Sequence, residues 1–341
     1  MIRVHDIHLP LDHKPEALAA ALARALGVRL SALQHWEVRR QAIDARKKHA
    51  IQLTYSVDVE VASEETLLAN ASARKITPTP DETYHPVAPG ARPLPHRPVV
   101  VGTGPAGLFA ALILAQGGYR PVVLERGTPI PQRCRDVEGF WNGGALAPES
   151  NAQFGEGGAG TFSDGKLTTL INDPRCRKVL QEFVAAGADR SILVSAKPHV
   201  GTDRLRRVVV NLRKRLESLG ASVRFEHRVT GLVLDGRSLR GLRLHTGETL
   251  DASVCVMAIG HSARDTVAML HQAGLQVVPK PFSVGVRIEH PQRLIDLAQY
   301  GRCAGHPRLG PADYKLVCHA PNGRSAYTFC MCPGGEVIAA A

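Results

Sequence analysis

A glycine-rich turn after a short apolar run has the residue types and spacing for ligand chemistry. Residues 98–101 read as a buried strand, and Gly102, Gly104 and Gly107 follow with the spacing GxGxxG. An alanine-rich helix pattern then runs to Gln116. In dinucleotide-binding folds the first glycine permits the tight turn, and the second lets the backbone approach a diphosphate. The third lets helix and strand pack closely.

A second apolar strand pattern, residues 121–124, ends in the acid Glu125. The free N–H groups at the helix start would face a diphosphate, and Glu125 would accept hydrogen bonds from an adenosine ribose. A lone GxGxxG is a weak signal, and its alternative interpretation is an ordinary glycine turn. Strand, turn, helix, strand and acid together predict a dinucleotide-binding unit.

A second glycine pattern, residues 155–160, also fits GxGxxG, but polar residues 149–154 precede it in place of an apolar strand. It is therefore not predicted to be a second dinucleotide fold. With residues 161–167 it predicts a loop whose bare backbone lies against a flat or phosphorylated ligand. The alternative is a mobile surface loop. A third buried strand pattern, residues 253–259, ends in a glycine turn around Gly260, where doubly wound folds place ligand contacts.

These motifs resemble a family of FAD-dependent dehydrogenases, often labelled NAD(FAD)-utilising dehydrogenases, which carry a small N-terminal domain. The resemblance covers essentially the whole chain. It rests on the glycine motif with Glu125 and on four further segments, residues 157–167, 258–266, 280–290 and 330–335. Residues 39–48 resemble the signature of the family's N-terminal domain. The resemblance implies non-covalent FAD in a glutathione-reductase-like fold and names no substrate.

The predicted cofactor-binding residues lie in these turns and loops. They are Gly102, Gly104, Pro105, Ala106, Gly107, Glu125, Arg126, Gly157, Gly158, Ser163, Asp164, Val229 and Gly260. FAD is the predicted cofactor, and NAD(P)H is a candidate electron donor. The predicted partner is a small-molecule substrate whose identity the sequence does not give.

Catalytic residues are not identified by the sequence, which offers two candidates. Lys166 could stabilise negative charge at the flavin pyrimidine edge, or be a surface lysine. His261, at a strand end, could donate a proton, or be a hydrogen-bonded turn histidine. Cys330 and Cys332 would point to opposite faces of an extended segment, so a disulfide or shared metal would need a turn. No regular four-ligand set indicates a metal site.

The surrounding patterns predict an α/β protein in several parts. Residues 1–76 read β-α-β-β, a small α+β module of ferredoxin-like type. Gly27 is predicted to end its helix, and alternating apolar residues from Ile51 to Val59 predict a strand with one buried face. Residues 77–98 form a proline-rich linker. A FAD-binding Rossmann-like domain of glutathione-reductase type is predicted for residues 99–265. An incomplete substrate domain is predicted for residues 266–341. Because the chain stops in an apolar run, residues 336–341, we expect a C-terminally truncated flavoprotein that binds FAD weakly.

Composition narrows the class of protein. The net charge is +11, and the excess of basic residues is spread over the middle of the chain. The N-terminal module also lacks clustered aromatic residues, and both features argue against nucleic-acid binding. No apolar run reaches the roughly 18 residues of a membrane span. Seven cysteines at irregular spacing do not form a disulfide framework, so a cytoplasmic protein is predicted.

Two classes of function remain open at this point. The first is a FAD-dependent oxidoreductase acting on an unknown substrate, with hydride transfer through the flavin. The alternative is a flavin-binding regulatory or RNA-associated protein without turnover, favoured only by the basic run of residues 39–48. A purely NAD-dependent dehydrogenase would fit the first glycine motif but would leave residues 163–166 unexplained. The oligomeric state is not determined by the sequence.

Overall fold

The computed structural model describes residues 1–69, 75–163, 165–169, 171 and 173–340, so the predicted site residue Asp164 lies outside the described residues. The chain divides into two compact units. The first contains Met1–Glu82, Arg190–Pro198 and Arg287–Val337, and the second contains Thr83–Asp189, His199–Val286 and the described residues from Ile338 onward. This division does not test the predicted domain bounds, which remain predictions.

The helices and strands are numbered in chain order. They are β1 (Ile2–Pro10), α1 (Glu16–Leu26), β2 (Leu33–Asp44), β3 (Gln52–Val61), α2 (Glu64–Ala69), β4 (Ile76–Pro78), β5 (Val99–Val101), α3 (Pro105–Gln116), β6 (Val122–Leu124), α4 (Ile130–Trp141), α5 (Arg175–Ala185), α6 (Thr202–Ser218), β7 (Ser222–Arg224), β8 (Val229–Asp235), β9 (Ser238–Leu244), β10 (Thr249–Asp251), β11 (Cys255–Met257), α7 (Arg264–Gln272), α8 (Gln292–Tyr300), β12 (Val317–His319) and β13 (Ser325–Tyr327).

The first unit is built on an antiparallel sheet with the strand order β2-β3-β1-β4. Alternation of apolar and polar residues gives β3 one buried face, which is the pattern that the sequence predicts for it. The predicted β-α-β-β order is confirmed, and α2 and β4 extend it. Gly27 ends α1 in the left-handed conformation, with φ of 69°, as predicted.

One hydrophobic core serves this unit. Its centre is formed by strand residues such as Val4 and Val57, which are fully buried. Tyr300, Leu309 and Ala312 join the same core, although the sequence assigns them to a separate substrate domain. The first unit is therefore completed by a segment far along the chain.

The start of the predicted linker belongs to the first unit. Thr77 and Pro78 belong to β4, and Glu82 forms ion pairs with Arg3, at 2.8 Å, and with Arg39. Residues beyond Glu82 are mostly exposed up to Pro98. The accessible stretch therefore begins later than the sequence alone indicates.

Limited proteolysis with subtilisin should cut first between residues 83 and 97. Proteases select exposed backbone outside strand ladders, whereas β3 is paired on both sides. The cut site is read by mass spectrometry of the first fragments. A first cut inside β3 would contradict both the exposed linker and the pairing of β3 within the sheet.

The second unit contains a parallel sheet with the strand order β11-β5-β6-β7, which confirms the mixed α/β class with a parallel sheet. Its central strands are fully apolar and buried because α/β sheets are covered on both faces. The helix predicted up to Gln116 is confirmed as α3. An antiparallel sheet of β8, β9 and β10 follows.

The sequence pattern from Val223 to Leu250 predicts two hairpin-like segments. The antiparallel pairs β8–β9 and β9–β10 confirm them from Val229 onward. The predicted start is wrong, because Val223 lies in β7, which pairs in parallel with β6. The sequence pattern alone does not distinguish parallel from antiparallel pairing for β7, because a three-residue strand is too short to show its pairing direction. No helix of the described residues is long and apolar enough to span a membrane.

Candidate functional site

A cavity of about 480 Å³ lies where the strands β11, β5 and β6 end. Its walls come from the turns after these strands, from the start of α3 and from the 155–160 loop. Cavities of this size at the carboxyl ends of parallel strands are the usual ligand sites of open α/β sheets. This cavity is the candidate functional site.

Steric contacts explain the first and third glycines of the first turn. Gly102 has φ of 102°, and a Cβ there would lie 2.4 Å from the carbonyl oxygen of Ala258. A Cβ on Gly107 would lie 1.9 Å from the carbonyl oxygen of Gly102. Helix α3 can therefore start against β5 only because both side chains are absent.

The second glycine loop packs against the first. The N–H of Gly157 donates to the carbonyl oxygen of Thr103 at 3.0 Å, and a Cβ on Gly158 would lie 2.8 Å from the Cα of Gly104. Gly157 and Gly158 have φ of 84° and 62°. The bare backbone of this loop thus lies partly against the first turn, while Gly158 still reaches the cavity.

Glu125 lines the cavity and connects three loops, although it is only 4% exposed. One carboxylate oxygen accepts hydrogen bonds from the N–H of Thr103, at 2.8 Å, and from its hydroxyl, at 2.6 Å. The other accepts from the N–H groups of Gly127, at 2.9 Å, and Gly155, at 3.0 Å. A carboxylate has about four acceptor positions, so these donors occupy them all.

Arg126 forms a charged network beside the cavity. Its Nε donates to Glu149 at 2.7 Å, its Nη1 donates to Asp265 at 2.9 Å, and its guanidinium carbon lies 4.1 Å from the centre of the Phe154 ring. Arg228 donates to the same Asp265 carboxylate at 3.0 Å. These bonds hold two cationic side chains at the cavity wall.

The pKa of Asp265 lies at about 2 in the folded protein. Burial by itself would raise this pKa, but the hydrogen bonds from Arg126 and Arg228 outweigh it. The ordinary value is 3.8, so the unfolded chain binds this proton more tightly than the folded chain does. Ionised Asp265 therefore stabilises the fold above about pH 4, and this stabilisation is lost as the pH falls toward 2.

Replacing Asp265 with asparagine should flatten the dependence of the free energy of unfolding on pH in this acidic window. Urea unfolding at several pH values between 5 and 2.5 measures the slope for wild type and variant. Asp235→Asn is the matched control, because the Asp235 side chain is 70% exposed and its ion pair with Arg240 is screened by solvent. Equal slopes for Asp265→Asn and wild type would contradict the prediction.

Two buried charged residues, one in the 155–160 loop and one beneath it, were missed by the sequence analysis. Arg133 and Glu156 are both 0% exposed. The Glu156 carboxylate accepts hydrogen bonds from the N–H of Ile130, at 2.8 Å, and from Nε of Arg213, at 2.7 Å. An acid inside a glycine-rich run was the only sequence signal, and it does not indicate its partners.

The structure brings most of the predicted cofactor-binding residues to one cavity. Those that line it are Gly102, Gly104, Pro105, Ala106, Glu125, Arg126, Gly158, Val229 and Gly260. Gly107 and Gly157 are buried in the packing of the two glycine loops, and Ser163 lies outside the lining with its hydroxyl donating to the carbonyl oxygen of Gly160. Cofactor binding by all these residues stays a prediction.

The candidate catalytic residues occupy different places. His261 is exposed on the cavity wall, with its Nδ1 3.1 Å from the hydroxyl of Ser262. Lys166 forms an isolated β-bridge with His199 and is not part of the lining. Cys330 and Cys332 are exposed. Within the described residues, no three His, Cys, Asp or Glu side chains form a metal-binding group.

Two parts of the chain match family models. Residues 281–341 match the family described as FAD-dependent protein, C-terminal domain-like, and residues 1–60 match a domain of unknown function (DUF8436). The chain is 43% identical over 341 residues to an uncharacterised protein of Clostridium beijerinckii. It spans 64% of the length of that relative.

The solved structures that this chain resembles match it over only part of its length. Thermovibrio ammonificans THI4 has a TM-score of 0.36 and 18% identity, over 52% of this chain and 63% of its own. The GidA-related protein of Thermus thermophilus has a TM-score of 0.26 and 20% identity, over 48% and 53%. Lactococcus lactis thioredoxin reductase has a TM-score of 0.27 and 16% identity, over 48% and 35%. Scores this low carry no conclusion about this chain.

Proposed function

We propose that the cavity binds FAD non-covalently and that the chain is part of a FAD-dependent oxidoreductase of the cytoplasm. The observation that carries this proposal is the meeting of the first glycine turn, the start of α3, the 155–160 loop and the turn at Gly260 around one cavity. The match of residues 281–341 to a FAD-dependent family supports the same cofactor independently.

The residues at the cavity fit the adenosine diphosphate half of FAD. Helix α3 starts at Pro105, which has no N–H, and the N–H groups of Ala106 and Gly107 in its first turn have no partner within the helix, because no helical carbonyl group precedes them. These donors and the helix dipole favour a phosphate. Gly104 leaves the backbone bare at this point, and only the Cα of Gly158, 3.9 Å from a Cβ built on Gly104, comes near it.

FAD, when bound, supplies hydride-transfer chemistry, and the chain binds and orients it. In this proposal the start of α3 binds the diphosphate. Arg126 and Arg228 contribute positive charge at the cavity wall. His261 is the candidate proton donor because its ring is exposed on that wall. The substrate is a small molecule of unidentified class, and NAD(P)H is the candidate electron donor.

Glu125 can contact the ribose only in competition with its own loops. All four of its acceptor positions are taken by the backbone and hydroxyl donors of Thr103, Gly127 and Gly155. A ribose hydroxyl must therefore share an acceptor position or displace one of these donors. Glu125 is thus proposed to act mainly by holding the loops, and secondarily as a ribose ligand.

The alternative, a flavin-binding regulatory or RNA-associated protein, loses part of its support. It rested on the basic run of residues 39–48. Arg39 forms ion pairs with Asp58, at 3.4 Å, and with Glu82, while Arg46 pairs with Asp44 at 2.5 Å. These acids offset part of the positive charge that would contact a phosphate backbone.

The absorbance spectrum of the purified protein, before and after addition of FAD, tests the proposal. We expect a flavin spectrum in the purified protein, or its appearance as a bound, perturbed spectrum when FAD is added. Anaerobic titration with NADH and with NADPH then tests the electron donor by bleaching of the flavin. Protein that is colourless and does not change the spectrum or fluorescence of added FAD would contradict the proposal.

A further inference from the structure

Arg133 in α4 is a buried cation surrounded by the backbone of one loop. Its Nε donates to the carbonyl oxygen of Asn151 at 2.9 Å, and its Nη1 donates to those of Glu156, at 2.6 Å, and Gly158, at 2.9 Å. The carbonyl oxygen of Gly155 lies at 3.3 Å from Nη1. A single guanidinium therefore fixes the orientation of several peptide groups of the 155–160 loop.

Among the described residues, no carboxylate forms a direct ion pair with Arg133. Glu125 and Glu156 act on it through space, but their carboxylates are hydrogen-bonded to other donors. Burial lowers the pKa of Arg133 to about 10 because the charged form is poorly solvated. Its Nη2 is buried and has no hydrogen-bond partner among the described residues. A buried cation of this kind favours an anion nearby.

Peptide geometry extends the effect of Arg133 to the other side of the loop. In a trans peptide the C=O and the next N–H point in opposite directions. The carbonyl of Glu156 faces Arg133, and the N–H of Gly157 accordingly donates to Thr103 on the far side. By the same geometry, the Gly158 carbonyl on Arg133 turns the N–H of Ala159 away from it.

Ala159 is exposed and lines the cavity together with Gly158 and Gly160. The carbonyl groups of the loop therefore face the buried guanidinium of Arg133, and the opposite side of the loop lines the cavity. The N–H groups of Gly157 and Gly158 already donate to the carbonyl oxygens of Thr103 and Gly155, so the N–H of Ala159 is the one that this geometry offers to an anion. The start of α3 reaches the same cavity at Pro105 and Ala106.

We propose that Arg133 is a positioning residue for the diphosphate of the ligand. By holding the carbonyl groups of the 155–160 loop, its guanidinium directs the N–H of Ala159 into the cavity, and its buried charge offsets that of the anion. This inference rests on the proposed function, because it assumes that the cavity binds a dinucleotide cofactor. It concerns a residue outside the cavity lining, which acts through the loop.

Calorimetric titration with ADP and with adenosine tests the role of Arg133. The ratio of the two affinities reports on the diphosphate and cancels a general loosening of the site. In Arg133→Met we expect ADP affinity to fall about 10- to 100-fold, the range for hydrogen bonds to charged groups, with a much smaller change for adenosine. Arg133→Lys keeps the charge but loses the converging donors, so an intermediate ratio is expected.

Arg135→Met is the matched control, because Arg135 is exposed on the same helix. Its ADP to adenosine ratio should equal that of wild type. Equal losses of ADP and adenosine affinity in Arg133→Met would overturn the proposal, since they indicate a purely structural role. If Arg133→Met does not fold, as judged by circular dichroism, Arg133→Lys decides, and an unchanged ratio overturns the proposal.

Hydrogen exchange on the wild-type protein tests the inference without a substitution. Saturating ADP, but not adenosine, should slow exchange of the amides of residues 159–160. Equal protection by both compounds, or by neither, would overturn the role of this loop in binding the diphosphate. A wild-type protein that binds neither FAD nor ADP would instead contradict the proposed function.

Discussion

Glu125→Ala should lower the free energy of unfolding by about 3–5 kcal/mol, in addition to weakening FAD binding. The substitution leaves the buried N–H groups of Thr103, Gly127 and Gly155 without their acceptor. Each buried donor left unpaired costs about 1–3 kcal/mol, and these costs are not fully additive. Urea unfolding without added FAD measures the effect on the protein alone.

Glu125→Gln should also destabilise the protein, by about 2–3 kcal/mol, although it keeps the shape of the side chain. The NH₂ group of glutamine would replace one of the two carboxylate oxygens and would face the hydrogen-bond donors that this oxygen now accepts from. Glu149→Gln is the control, because Glu149 is 44% exposed and bonds to Arg126 at the surface of the network. We expect less than about 1 kcal/mol there. Loss of FAD binding by Glu125→Ala with unchanged stability would show that the carboxylate acts on the cofactor alone.

Gly107→Ala should cost about 3 kcal/mol of stability and weaken FAD binding about tenfold or more. The new Cβ would lie 1.9 Å from the carbonyl oxygen of Gly102 and 3.4 Å from the Cβ of Ala258. Because the first contact is with backbone, no side-chain rotation relieves it, and the start of α3 must move off β5. The N–H groups proposed to bind the diphosphate would move with the helix. Thermal or urea unfolding and FAD titration measure both losses.

Gly139→Ala is the matched control within the same unit. Gly139 lies in α4, and a Cβ there would have no heavy atom within 4 Å. Alanine is favoured over glycine in a helix, so this variant should gain about 0.5–1 kcal/mol and leave FAD binding unchanged. A Gly107→Ala variant as stable as Gly139→Ala would contradict the close packing of α3 on β5.

Elements whose form depends on neighbouring residues were predictable from the amino-acid sequence. The run of valines before Gly102, the spacing of Gly102, Gly104 and Gly107, and the helix to Gln116 predicted β5, the turn and α3. Alternation in the N-terminal module predicted its strands, and Gly27 predicted the end of α1. These features follow from side-chain periodicity and from backbone conformations that only glycine adopts easily.

The contacts between distant segments could not be predicted from the sequence and follow from the packing of the folded units. The contact of Gly158 with Gly104, the burial of Arg133 under the loop and the hydrogen bonds from Thr103 and Gly155 to Glu125 join segments separated by some twenty to fifty residues. The pairing of Val223 in a parallel sheet is of the same kind. A residue's type does not specify which distant backbone group completes its hydrogen bonds. That choice is made by the packing of the whole unit, because buried polar groups must find partners wherever the fold brings them.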